Sequence, residues 1–455
     1  MKFPMEEKEI LNSFIESPSG IVSPIVVVEL IDSIIKEGRI ADYSNQFWFN
    51  YLNKTSHPDF LSAIEERTKR EQWAESVFKI IQFTEYSLRD LFAQRVKDIP
   101  QYILFQDMST SPPSFWTYEQ MNRQIRQFAA VFHKTENSDP RVAIYSDNCV
   151  ESATADLACL FYDIFDSPLS THFKASTLVS IFDSVEINIA LCETTERLEI
   201  LKAVREKTKK YFVIYTLNDD VKISGKDVQF IGNVTTLLDT KEVENILSKR
   251  RIKPLNEVAT TMFTSGSTGI PKGVSFSIYN LVSKRFARHA ALPQVGRKEV
   301  LLCFLPLFHT FGRYLEMLGM IYWRGTYTFA GNTSSETLFT LLPSVNPSGF
   351  ISVPIRWLQV YDKIEECLSK NGEEQSKEQI IRQVIGSRLN WGLSAAGYLA
   401  PKVFNFFQNN GVNLSSGFGM TEATGGITMT PPGEYRKKLY RCNATWHIWE
   451  TGRKR

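Results

Sequence analysis

This sequence predicts an α/β fold, two doubly wound α/β subdomains behind a helical N-terminal extension, on the strength of three observations. From Tyr86 onward, short apolar runs of strand length alternate with longer helical stretches, the pattern of a sheet covered on both faces. The first 84 residues carry helical periodicity and no strand alternation. A run of Thr, Ser and Gly at 264–269 follows one apolar strand, where open α/β sheets place their ligands.

The totals agree with a large globular chain. At 455 residues it exceeds one ordinary core, and 43% hydrophobic with 22% charged residues is a globular composition. A net charge of +2 gives no reason to expect nucleic acid or an anionic membrane as a generic partner, so the expected partner is a small molecule. Cys149, Cys159, Cys192, Cys303, Cys367 and Cys442 are scattered with no metal or redox spacing, and the first residues lack a secretory apolar core. Both fit a reducing cytoplasm. No apolar run approaches the roughly 18 residues that would span a bilayer, which leaves at most peripheral membrane contact.

Taken in order, the extension (1–84) has its clearest helix after Ser23 as N-cap and Pro24 at the first helical position. An apolar stripe follows at Ile25, Val28, Ile31, Ile34 and Ile35, and Gly38 stops it. That stripe is expected to bury against the following domain. Strands are then predicted at 141–146, 186–191, 258–263, 300–304, 326–329, 350–353 and 389–393. The helices between them fall at 151–161, 313–323, 335–342, 355–368, 377–384 and 401–408, with one more capped by Ser277 and running to 292.

The Thr264, Ser265, Gly266, Ser267, Thr268, Gly269 run, followed by Pro271, Lys272 and Gly273, reads as a phosphate-binding loop. Hydroxyls and unobstructed backbone N–H groups crowd an anion, and Lys272 adds charge. It is not the P-loop ATPase pattern, which has Gly before the Lys and Ser or Thr after it. The string resembles the signature of the adenylate-forming superfamily, which includes acyl-CoA synthetases, peptide-synthetase adenylation domains and firefly luciferase. The resemblance implies the large N-terminal domain of that fold over 85–436, in subdomains of about 85–260 and 261–436. It also covers the strand ending in Ser146, Asp147 and Asn148, with one departure: Tyr162, Asp163 and Ile164 replace a Gly-containing turn.

Three further stretches carry the resemblance. Phe418, Gly419, Met420, Thr421 and Glu422 are similar to a Tyr-Gly-x-Thr-Glu motif, with Phe for Tyr. This implies adenine packing on Phe418 beside Gly419, α-phosphate contact from Thr421, and Mg²⁺ on Glu422 with Thr268. Ala395, Ala396 and Gly397 match small residues lining the adenine pocket. His309, in Leu305-Pro306-Leu307-Phe308-His309, stands where relatives place a His beside the substrate carboxylate. Lys272, Thr421, Glu422 and His309 are thereby the implied catalytic residues. ATP, Mg²⁺ and CoA are the implied cofactors and co-substrates. Ser352 to Pro354, Trp357 and Asn390 to Gly392 look most like long-chain fatty acyl-CoA synthetases.

The resemblance implies ATP activation of a carboxylate, expected to be a fatty acid, to acyl-AMP and then acyl-CoA. The alternatives are an adenylating enzyme that loads an acyl carrier protein and a non-catalytic nucleotide-binding protein. The match ends near Tyr435, before the segment in which relatives carry a ribose-binding Asp and a small C-terminal domain with a catalytic Lys, so impaired turnover is expected of this chain. The tail at 437–455 suits no fold element, and a frameshift product is the hypothesis. Shifting the frame by one base turns the single Trp codon at Trp446 and Trp449 into glycine codons, in keeping with a family-like continuation. Sequencing the coding nucleotides through the Lys437-Lys438 adenine run tests this; the absence of an open continuation in the other frame would sink it.

Overall fold

A computed structural model describes residues 4–17, 22–136, 139–221, 223, 228–264, 271–296, 298–371 and 375–430. Among the described residues fifteen strands form two sheets. In chain order they are β1 (Ile103–Asp107), β2 (Ser114–Thr117), β3 (Arg141–Ile144), β4 (Phe165–Pro168), β5 (Ile189–Cys192), β6 (Val213–Thr216), β7 (Val228–Phe230) and β8 (Val258–Thr264). Then come β9 (Lys272–Ser277), β10 (Val300–Cys303), β11 (Thr326–Phe329), β12 (Gly349–Ser352), β13 (Trp391–Ala395), β14 (Asn413–Met420) and β15 (Gly425–Met429).

The smaller sheet has the order β7-β6-β5-β3-β4-β8-β9 and the larger β15-β14-β13-β12-β10-β11-β1-β2. Only β2, β9 and β15 run antiparallel to their neighbours, each at a sheet edge. The parallel strands between are buried apolar runs because helices cover both faces.

The two sheets do not divide the chain at 260/261. β1 and β2 join the larger sheet beside β11, while β8 and β9 complete the smaller one. A second difference concerns the signature. Residues 272–277, expected to lead directly into a helix, form β9 and pair with β8 from Val258↔Ser277 to Thr264↔Lys272. The alternation of Val274 and Phe276 with polar neighbours suits an edge strand, and Ser277 caps the helix Ile278–Ala291 only after it.

Other elements shift by a few residues. The predicted strand at 186–191 begins at Ile189 because Glu186 takes a φ of +53° and turns the chain. The helix expected from 313 opens earlier, as a π-helical turn Phe311–Met317. Asp163 explains the missing glycine: its φ is +62°, and its carboxylate accepts from Arg250 Nε at 2.8 Å and the Lys253 N–H at 3.0 Å. Asp tolerates this conformation better than most residues, and the two bonds hold it there.

The extension is helical throughout its described part, and Ser23 sits at the N-cap position without a side-chain capping bond. Val28, Ile31 and Ile34 are buried, as the stripe predicts. Its last helix, Arg67–Thr84, lies along Ile278–Ala291, with Trp73 and Phe286 rings 6.0 Å apart. Among the described residues no helix is long and apolar enough to cross a membrane.

Arg313 joins the two sheets. From the π-helical turn after β10 it donates to Asp156 at 2.8 Å, to Asp166 on β4 at 2.8 Å and to Thr260 Oγ1 on β8 at 2.7 Å, all buried. One cation faces two carboxylates, and burial raises the pKa of Asp166 against the pull of Arg313. A group whose folded pKa is raised stabilises fully below its unfolded pKa and loses that contribution as pH rises through the folded value. Arg313→Met should therefore cost about 3–5 kcal/mol in urea unfolding, because two buried carboxylates lose their cation. Asp166→Asn should cost less and remove part of the stability loss between about pH 4 and about pH 8.

Candidate active site

Four pieces of chain meet at the β13-β14-β15 edge. β13 delivers Ser394 and Ala395 and then turns at Ala396, whose φ of +66° lies in the left-handed region. β14 places Gly417 opposite Ala395 and continues through Phe418, Gly419 and Met420 into the 3-10 turn Thr421–Ala423. β15 returns antiparallel, with a register shift between Phe418 and Gly419. Gly419 packs so closely on the Gly425 carbonyl that a Cβ could not fit.

The third piece is the segment 305–310. Asn148, just beyond β3, donates to the Leu305 carbonyl at 2.7 Å and accepts from the Leu307 N–H at 2.9 Å. The His309 carbonyl accepts from the Arg313 N–H at 2.9 Å. The segment that carries His309 is thus tied to Asn148 beside the smaller sheet and to the turn that follows it. The fourth piece is the helix Ile278–Ala291, whose Arg285 and Arg288 complete the wall.

These pieces enclose a cavity of about 380 Å³, within the range of small-molecule sites. Of the residues expected from sequence, His309, Ala395, Ala396, Phe418, Gly419 and Thr421 line it. The Phe418 ring is 62% exposed, a free aromatic face. Protein atoms around His309, and to a lesser extent His172, hold its imidazole below the ordinary pKa, which favours the neutral ring at pH 7.

Other expected residues stand apart from this wall. Gly397 follows the Ala396 turn, and Glu422 is exposed beside Thr421. Thr264 and Lys272 face each other across the base of the β8-β9 hairpin, with Lys272 exposed. Ser265, Gly266, Ser267, Thr268 and Gly269 lie outside the described residues, as does the 437–455 tail. Among the described residues no group of three or more His, Cys, Asp or Glu could hold a metal. The exposed Glu422 carboxylate suits Mg²⁺, which takes one or two carboxylates together with phosphate oxygens. A larger cavity of about 940 Å³, lined by Arg67, Arg70, Arg382 and Trp391, contains none of the expected site residues.

Sequence reasoning missed the basic cluster. Lys284, Arg285 and Arg288 are all buried, on a helix whose residues 281–290 are buried on every side. Lys284 donates to the carbonyls of Ala423 at 3.2 Å and Gly426 at 2.7 Å. Burial, then Arg288 and Arg285, push its pKa down to about 6. The available signal was a helix with basic residues at i, i+1 and i+4 among apolar ones, which a wholly buried helix does not ordinarily show.

Comparison with known proteins gives a consistent result. Residues 92–447 match the family model described as AMP-binding enzyme. Long chain acyl-CoA synthetase 8 of Arabidopsis thaliana is 24% identical over 376 residues, 72% of this chain and 51% of that protein. Long-chain-fatty-acid–CoA ligase 5 of Rattus norvegicus is 22% identical, covering 71% of this chain and 53% of the relative. The chain spans about half the length of these curated relatives. Among solved structures, the anthranilate CoA ligase AuaEII in complex with anthranoyl-AMP superposes with a TM-score of 0.63 at 15% identity, over 77% of this chain and 62% of that one. The likeness is one of fold.

Ala396 offers a direct check on the backbone of this site. A left-handed alanine costs about 1–2 kcal/mol, and glycine gives back part of that through unfolded-chain entropy, about 0.4–1 kcal/mol. Ala396→Gly should raise unfolding stability by a net of about 0.5 kcal/mol, read by denaturant titration; destabilisation would contradict a left-handed backbone at Ala396.

Proposed function

The chain belongs to the AMP-binding enzyme family, and from that premise we propose that it is an AMP-forming acid ligase of the cytoplasm, converting an aliphatic carboxylic acid to acyl-AMP and then to acyl-CoA. The observation that carries the reading is the convergence of His309, Ala395, Ala396, Phe418, Gly419 and Thr421, far apart in sequence, on one cavity. The names of the relatives favour a fatty acid.

In this reaction a carboxylate oxygen attacks the α-phosphorus of ATP, the bond to the bridging oxygen breaks, and pyrophosphate leaves. The CoA thiolate then attacks the acyl carbon and AMP departs. Negative charge builds on the α-phosphate and the leaving group together, so donors and cations must already be in position. Phe418 offers its open face to adenine, and the Ala395-Ala396 turn lets the base approach the backbone. Thr421 supplies a hydroxyl for the α-phosphate. Lys272, at the base of the signature hairpin, supplies charge for the β- and γ-phosphates. Neutral His309 donates to the acid without carrying a competing charge. Glu422 would hold Mg²⁺, which supplies charge neutralisation on the phosphates.

ATP–pyrophosphate exchange with a panel of aliphatic mono- and dicarboxylic acids tests the proposal. Acid-dependent exchange is expected, reduced about 10²–10³-fold by Lys272→Ala or Thr421→Val, the loss usual for one charge-stabilising donor. Acyl-CoA formation beside exchange supports CoA as acceptor, and exchange without CoA turnover points to a carrier protein. ATP binding without exchange for any acid would overturn the ligase reading in favour of a nucleotide-binding protein.

A further inference from the structure

Two guanidinium groups stand in the cavity wall without a counter-charge among the described residues. Arg285 is 2% exposed and Arg288 8%. Arg285 donates only from Nε, to the Leu281 carbonyl of its own helix at 3.3 Å, and its Nη1 is buried with no partner among the described residues. Arg288 forms no hydrogen bond or ion pair within the described residues. Its guanidinium instead lies against Gly426 of β15, where any side chain would collide with it, so the strand is shaped around the cation. Among the described residues no carboxylate acts on Arg285 or Arg288, and Arg285 feels the like charge of Arg288. Burying two neighbouring guanidinium groups with no anion among the described residues is unfavourable in a dry interior. Lys284 escapes by depression of its pKa, an escape far less open to the two arginines.

We infer that the acid accepted by this site carries a second anionic group, held by Arg285 and Arg288, while its reacting carboxylate faces His309 and Thr421. This rests on the ligase reading and narrows its substrate class to acids such as α,ω-dicarboxylates. The same cavity is lined by Leu305, Leu315, Leu393 and Met429, an apolar stretch that suits an aliphatic spacer between the two anionic ends. A plain fatty acid would put a methyl end beside two desolvated cations and leave both unpaired. A second carboxylate gives each guanidinium an acceptor in its planar fork geometry.

The test is calorimetric titration of the whole 455-residue chain with adipate, suberate and sebacate, each against the monoacid of equal carbon number. It is run in the presence of Mg²⁺ and α,β-methylene-ATP, whose own binding is measured first. At least one diacid should bind about tenfold or more tighter than its monoacid, as expected for added charge-assisted hydrogen bonds. Arg288→Gln should erase most of that preference while ATP-analogue affinity stays within about twofold. The comparison of acids on the unaltered chain stands even if a variant fails to fold. Equal or tighter binding of the monoacids overturns the inference. An equal loss of ATP-analogue binding in Arg288→Gln would assign the pair to phosphate and also overturn it. If the analogue binds and neither acid class does, the second-anion assignment falls while the nucleotide site stands. If the analogue itself fails to bind, the ligase reading falls and takes the inference with it.

Discussion

The arrangement depends most on one buried cation. Arg313 reaches Asp156, Asp166 and Thr260, which lie 157, 147 and 53 residues away in sequence, from a turn that belongs to the other sheet. A buried ion pair is a weak source of net stability, since desolvation offsets most of the attraction. Its effect is to exclude other arrangements: sliding one sheet over the other would strand two carboxylates and a guanidinium away from water. The same residue carries the backbone N–H that holds the His309 carbonyl, so sheet docking and the position of the candidate acid-binding histidine are set together.

The second constraint is the hairpin. Because Lys272 to Ser277 form a strand, the signature string links the two strands of an antiparallel pair, with β9 at the sheet edge, and does not run straight into a helix. The helix macrodipole that serves P-loop and dinucleotide sites is therefore not aimed at the anion here. On the proposed ligase reading, charge stabilisation there would fall to Lys272 and the hydroxyl-rich signature string. The helix that follows is freed for another task. It lies inside the molecule between the N-terminal extension and β15, and it turns Arg285 and Arg288 toward the cavity that Phe418 and Thr421 line from the opposite strand.

Much of this was legible in the residue order. The alternation after Tyr86 set the α/β class, and most strands and helices fell within a few residues of their predicted bounds. The stripe at Val28, Ile31 and Ile34 announced its own burial. The small-residue turn at Ala395 and the Phe418 to Thr421 motif were recognisable by their resemblance to motifs of the family. What went unread has a common cause. β9 is a polar edge strand, with Lys272, Gly273 and Ser275 exposed, and an edge strand with one partner need not carry a strong apolar alternation. Arg313, Asp156 and Asp166 look like surface charges to any local reading, since nothing near them in sequence discloses their partners.

The sequence by itself determined the fold class, through periodicity and caps, and carried the signature string and motifs by which it resembles its family. Only the tertiary structure decided which sheet each strand joins, that the strands flanking the signature pair as a hairpin, and that Arg285 and Arg288 stand in a cavity with no acid to face among the described residues. The physical reason is that whether a charge is paired depends on what lies within a few ångströms of it in space, where the low dielectric of the interior makes the answer matter most.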